Sequence, residues 1–323
     1  MDSSTRLPPA PHRSAPSLAP GRRLPTLSVV IPACSARPCL RRTLTSLLSG
    51  APGELEVIVV DDGSPAATAE LTGEAEAADA RVRIIHQRQA LTAAARSAGL
   101  AAAAGEYVGF ADARAELTAG WAQVLLKAAA RRPAIVKGEA RVWCAGRELP
   151  APRSCVLMAQ HTPLHWFGEL ESAIYRRDFV QEQGLQFAAE GCDDLIFQVQ
   201  AVVAAVVAGE RIALRPRAVH RYLRRPEDLT PAAPGRVEAA RALQTYTILH
   251  ELFVRHGGCL PPAGVGFQYG LWTDRLFALT RRAAHPDDAA AANALAQRLV
   301  LECPQPEEYE RQRVARVYAV GDG

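Results

Sequence analysis

The stretch Ala104-Gly-Glu-Tyr-Val-Gly-Phe-Ala-Asp112-Ala-Arg114-Ala-Glu116 decides how the chain is read. Tyr107, Val108 and Phe110 form a short apolar run that fits an interior strand of a parallel sheet, and the run delivers a carboxylate, Asp112, to the sheet edge. In such sheets chemistry gathers beyond the carboxyl ends of the strands. The residues before Asp112 therefore position it, and those after it are where a substrate and a base are sought.

Upstream, the pattern repeats. Leu27-Ser-Val-Val-Ile-Pro32 is an apolar run closed by proline, which reads as a buried first strand. Leu40, Leu44, Leu47 and Leu48 fall at helical spacing, and Leu55-Glu-Val-Ile-Val-Val60 is a second strand. Asp61-Asp62-Gly63-Ser64 follows at once as a tight polar turn, in which Ser64 before Pro65 also reads as a helix N-cap. A helix over Ala66–Ala78, a strand over Val82–His86 and a helix over Leu91–Ala104 complete a strict β-α alternation. That order predicts a parallel, doubly wound α/β sheet of Rossmann-like type.

Downstream, the spacing predicts a helix over Leu117–Arg131 and a strand at Ile135-Val136. It also predicts helices over Leu170–Tyr175, Asp178–Gln183 and Asp193–Ala208, then a basic return strand near Ile212–Tyr222. From Val237 onward, Leu243, Tyr246, Leu249 and Phe253, then Leu271, Leu276 and Leu279, predict a helical C-terminal extension. Trp272, Phe277, Arg281 and Arg282 are expected to pack on the main domain or a second subunit rather than a membrane surface. Gly264-Val-Gly-Phe-Gln-Tyr-Gly270 has the wrong spacing for a dinucleotide loop and reads as a turn. His161 and His165 bracket Pro163 without an accompanying glutamate, which argues against a metal pair.

Composition sets bounds on partners. The 323 residues carry 37 basic and 34 acidic side chains, a net charge of +3, which does not call for nucleic acid or an anionic membrane. Arg221, Arg224 and Arg225 cluster either as a solvated loop or as an anion site. Seven cysteines with no C-x-x-C pair fit neither a zinc framework nor a disulfide scaffold, and a reducing cytoplasm is expected. Residues Met1 to Thr26 are rich in Pro, Arg and Ser and read as a disordered leader without an export signal. The apolar stretch Leu195–Ala208 is broken by Gln198 and Gln200 and falls short of the ~20 residues that span a bilayer, so no transmembrane segment is expected.

Taken in order, Val29-Val-Ile-Pro32, Val60-Asp-Asp-Gly-Ser64, Arg96-Ser-Ala-Gly-Leu100, Ala104 to Asp112, Ile174-Tyr-Arg-Arg-Asp-Phe179, Gly191-Cys-Asp-Asp194 and Arg225-Pro226 form a series. The series resembles the family 2 inverting glycosyltransferases of the GT-A fold. After the leader over 1–26, the resemblance implies a GT-A domain over 27–230, with a nucleotide-sugar half to about 115 and an acceptor half from about 116. The extension over 231–323 is not covered by it.

The resemblance also assigns roles. Asp62, with Asp61 next, holds the nucleoside; Pro32 and Ala33 line the base pocket, Ser64 belongs to the same turn, and Arg96 lies near the nucleotide. Cys34, Ser35 and Ser97 stand where the family has other residues. Asp112 matches the first carboxylate of the family's Asp-x-Asp, and the second has become Arg114. A guanidinium pairs with phosphate directly and bidentately, so no cofactor is expected to be essential, with Mg²⁺ or Mn²⁺ on Asp112 as the competing reading. Asp194 matches the family's general base with Asp193 beside it, and Arg225 or His220 is placed to neutralise the leaving diphosphate. The partners implied are a nucleotide-sugar donor and a carbohydrate or small-molecule acceptor, with a homodimer through the C-terminal helices. Two other readings stay open: a nucleotidyltransferase on a related fold, and a degenerate member that binds nucleotide or a partner without turnover.

Overall fold

The computed structural model describes residues 26–33, 37–52, 54–63, 66–88, 91–112, 115–144, 147–148, 170–189, 193–224, 234–307 and 309. The leader up to residue 25, Cys34, Ser35, Ser64, His161, His165, Trp166, Cys192, Arg114 and Arg225 lie outside the described residues.

The first half alternates as the sequence predicts. β1 (Leu27–Ala33), α1 (Arg37–Leu48), β2 (Leu55–Asp62), α2 (Ala66–Ala78), β3 (Val82–Gln87), α3 (Thr92–Ala102) and β4 (Tyr107–Phe110) follow in turn, and β3-β2-β1-β4 are parallel neighbours. β1 is buried along both faces because successive side chains point to opposite sides. Leu27, Val29 and Ile31 join Leu40, Leu44 and Leu47 of α1 in one core, while Val30 joins Ala93 and Ala95 of α3 in the other.

The second half departs from that plan. β5 (Ala115–Leu117), α4 (Trp121–Ala129), β6 (Ile135–Cys144) and β7 (Arg147–Glu148) precede a short 3₁₀ turn at Leu170–Ser172 and β8 (Ala173–Arg176). α5 (Arg177–Glu182), α6 (Asp193–Val207) and β9 (Ile212–Arg224) then complete a sheet ordered β3-β2-β1-β4-β8-β6-β9-β5, with β7 on β6. β8 runs antiparallel between β4 and β6, so the expected helix over Leu170–Tyr175 is corrected to a turn and a strand. Leu170 and Ile174 stand four apart as in a helix, yet the sheet claims the segment because Tyr107, Val108 and Gly109 of β4 offer it an open edge. The predicted start of α4 at Leu117 also moves: Leu117 is in a strand, and Gly120, at φ +73°, opens the helix.

Among the described residues, three long helices follow β9: α7 (Arg236–His256), α8 (Pro262–Arg282) and α9 (Pro286–Leu301). The Gly264–Gly270 segment, read as a turn, lies inside α8, with proline at its start. Glycine inside a helix costs about 1 kcal/mol relative to alanine. Here Gly264, Gly266 and Gly270 are all buried, and tertiary packing overrides that preference. Trp272 is buried against Tyr246, Phe253 and Tyr269. His250 of α7 bridges Tyr269 Oη of α8 and Glu302 beyond α9, each at 2.8 Å. One apolar core runs from Val30 and Phe110 through α6 to Leu249, Leu276 and Leu299.

Gly105 shows how the turn before β4 is held. Its N–H donates to Ser28 Oγ at 2.8 Å, and Ala104 N–H donates to Glu56 Oε2 at 3.1 Å. A Cβ at Gly105 would meet Ser28 N at 2.6 Å and Tyr107 O at 2.8 Å, both backbone atoms that cannot step aside. Gly105→Ala should therefore lower stability by about 1–3 kcal/mol. Urea titration checks it: the midpoint should fall while the slope stays the same.

Candidate active site

Parallel pairing puts the ends of β1, β2 and β4 on one edge. Ala33 lies opposite Asp61 and Pro32 opposite Val60, so Pro32 and Ala33 stand beside the end of β2 that carries Asp61 and Asp62. Asp61 and Asp62 are both buried. Asp61 Oδ2 is 3.1 Å from His86 Nδ1, and Asp62 Oδ1 accepts from Gln87 Nε2 at 2.7 Å. Their β3 partners thus hold both carboxylates at the strand end. Gly63, at φ +69°, then turns the chain away.

Asp112 follows β4 and is half-buried. The N–H of Ala111 donates to Val30 O at 2.9 Å, which fixes the strand end beside β1. His220 on β9 is fully buried, 0% exposed, between Leu117 of β5 and Ala140 of β6. Burial pushes its pKa down to about 4; the Asp112 charge works against this and the Lys137 charge adds to it. The imidazole is therefore neutral at neutral pH. Among the described residues, the Lys137 cation acts on it.

Lys137 was not legible as a site residue. It is 6% exposed on β6, next to the register shifts that flank Glu139, and bulges of this kind re-aim side chains near active sites. Its Nζ donates to Gln198 Oε1 at 3.1 Å, and Gln198 Nε2 donates to Asp194 O at 3.2 Å. A buried ammonium is thereby tied to the first turn of α6. The available signal was a lysine inside the apolar run Ala134-Ile-Val-Lys-Gly138.

Asp193 and Asp194 open α6, where the helix dipole favours negative charge. Arg96, expected near the nucleotide, turns onto this pair. Its Nη1 donates to Asp193 Oδ2 at 2.8 Å, and its Nη2 lies 3.7 Å from Glu171 Oε1. The guanidinium also sits 5.7 Å from the centre of the Phe187 ring. Burial works against the Arg96 charge, but Asp193 first, then Glu171 and Asp194, outweigh it and raise its pKa. Because Arg96 is in the first half of α3, directly after β3, this contact brings the start of α6 to the edge that carries Asp61, Asp62 and Asp112.

An edge of this kind, with two acids closing β2, a carboxylate after β4 and an acidic pair opening a later helix, fits the GT-A fold. Solved structures of similar shape agree. S. aureus TarS 1-349 in complex with UDP-GlcNAc aligns with a TM-score of 0.55 at 16% identity, covering 91% of this chain and 92% of that one. The mannosyltransferase PcManGT from Pyrobaculum calidifontis, in complex with GDP-Man and Mn²⁺, aligns with a TM-score of 0.53 at 20% identity, covering 92% and 87%. Residues 28–192, just over half of the chain, match glycosyl transferase family 2, and the chain belongs to that family. Among relatives, the uncharacterized glycosyltransferase EpsJ of Bacillus subtilis is 26% identical over 64% of this chain, and the uncharacterized glycosyltransferase YibD of Escherichia coli is 27% identical over 50%. The matches span 63% of EpsJ and 52% of YibD, less than two thirds of either relative.

A divalent ion can be tested against these residues. Among the described residues no group of three or more His, Cys, Asp or Glu side chains could hold one. The surroundings that Asp112 shares with His220 also contain the Lys137 cation. Among the described residues no helix is long and apolar enough to cross a membrane.

Proposed function

We propose that the chain transfers a sugar from a nucleoside diphosphate sugar to an acceptor hydroxyl with inversion at the anomeric carbon. The observation that carries this reading is the Arg96–Asp193 contact at 2.8 Å, because it brings the acidic pair to the edge where Asp61, Asp62 and Asp112 stand. Asp62 and Asp61 would hold the nucleoside, with Pro32, Ala33 and Ser64 around the base. Asp194 would accept the acceptor's proton as the new carbon–oxygen bond forms opposite the departing diphosphate. The bond from the anomeric carbon to the diphosphate oxygen breaks in the same displacement, and the nucleoside diphosphate leaves with the electron pair. Arg114 and Arg225 would receive that charge.

A UDP-sugar is the first donor to test, with a GDP-sugar beside it, because TarS was solved with UDP-GlcNAc and with UDP, while PcManGT carries GDP-Man. The nucleotide-sugar half would extend to about residue 115 and the acceptor half to about residue 230. Release of nucleoside diphosphate from the donor supports the reading; release of pyrophosphate from a nucleoside triphosphate would replace it with nucleotidyl transfer.

The pocket can be tested separately. Asp62→Ala removes a carboxylate held at a strand end without touching the apolar core, so donor affinity should fall by about tenfold or more while the fold persists. Calorimetry with UDP-GlcNAc and GDP-mannose on both proteins reads this, and equal affinities would move the nucleoside elsewhere.

A further inference from the structure

Two carboxylates at the start of one helix do not by themselves say which is the base. Around the pair, the described residues place Arg96 from α3, Glu171 from the 3₁₀ turn and Tyr175 from β8, with Gln198 tied to the Asp194 carbonyl from within α6. Arg96 is only 8% exposed and Glu171 is equally buried, so the ion pair between α3 and α6 forms largely away from water. The Tyr175 hydroxyl is held in its neutral form by burial first, with the Glu171 and Asp194 charges adding to it, which places both carboxylates in its surroundings. The three acids therefore crowd one guanidinium, and that guanidinium bonds to Asp193.

We infer that Arg96 and Glu171 are positioning residues that commit Asp193 to a structural ion pair and leave the proton-accepting role to Asp194. The inference rests on the reading of Asp194 as the base. Arg96 faces Asp193 with its strongest bond and Glu171 with a looser one, so it fixes the rotamer of Asp193 and the first turn of α6 together. Glu171 lies 3.7 Å from the same guanidinium, so Arg96 is shared between it and Asp193. Arg96 on this account does not touch the donor.

The test uses the full chain. Removing the guanidinium leaves three acids facing one another, so Arg96→Met should lower kcat by roughly tenfold or more, with donor KM little changed. The acid limb of the kcat profile should move up by about one pH unit. Glu171→Gln removes one of the three negative charges and should move the same limb down. Arg96→Lys, which keeps the charge, should recover much of the limb's position. Opposite shifts from two buried substitutions are not what loss of packing produces. UDP release from UDP-GlcNAc and GDP release from GDP-mannose are the rate probes.

A donor-independent measurement stands beside them: hydrogen exchange at the amides of residues 197–200, the first in α6 that bond to carbonyls of its opening turn, should speed up in Arg96→Met. Unchanged protection there would overturn the inference whatever the donor. So would a raised KM with an intact profile, which would return Arg96 to the nucleotide, or shifts of the same sign in both variants. If Asp194→Asn leaves turnover intact, the base reading itself has failed; if it abolishes turnover while the Arg96 and Glu171 variants leave the profile in place, only the present inference has.

Discussion

Asp194→Asn is expected to bind donor like the parent and to transfer sugar roughly 10²-fold or more slowly. The amide keeps the shape of the carboxylate and stays at the first turn of α6, and the backbone carbonyl that receives Gln198 Nε2 is untouched. What is lost is the capacity to take a proton. A hydroxyl is a weak nucleophile until its proton leaves, so the barrier to attack rises while the affinity for the diphosphate does not. Calorimetry with the donor and single-turnover rates separate the two quantities. Turnover equal to the parent would move the base to another residue, with Asp193 the first to be tested; its bond to Arg96 makes it the poorer acceptor.

The second large effect concerns the leaving group. By its resemblance to the family's Asp-x-Asp, Arg114 would stand two positions after Asp112 where the second carboxylate is expected, which would reverse the sign of that charge. A fixed guanidinium can stabilise charge that develops on a departing phosphate oxygen, as other preorganised cations do. Turnover is therefore expected to survive a chelator, and Arg114→Ala should lower it by roughly 10²-fold or more. Complete loss of activity on chelation, restored by Mn²⁺, would overturn the arginine reading and put the ion on Asp112.

The first half of the fold was legible because its strands are buried on both faces and read as unbroken apolar runs between helices. β1 and α2 begin and end within a residue of the predicted bounds, whereas β2 runs two residues further and takes Asp61 and Asp62, read as part of a turn, into the strand where β3 pairs with them. β8 and β5 were not, since four and three residues are too few to show a period, and only the open edges of β4 and β9 decide their state. The glycines of α8 were read as punctuation, although there they sit buried in a helix interior. In the site, Asp61, Asp62, Asp112 and the acidic pair were visible because each sits at an element boundary with its own local signature. The Arg96–Asp193 bond spans 97 positions and the Lys137–Gln198 bond spans 61, so no local pattern could announce either. Glu171 was hidden for the same reason: its partner is on another element.

The boundary drawn at residue 231 from the sequence does not coincide with a break in the packing. α7 lies against α6, and the same apolar core holds Phe197 and Val203 on one side and Leu249, Phe253 and Leu276 on the other. Cut the chain there and α6 would turn a bare greasy face to water, on the very helix whose first turn carries the acidic pair. The tail is a wall of the same building, and truncating it would reach the chemistry through the helix it props.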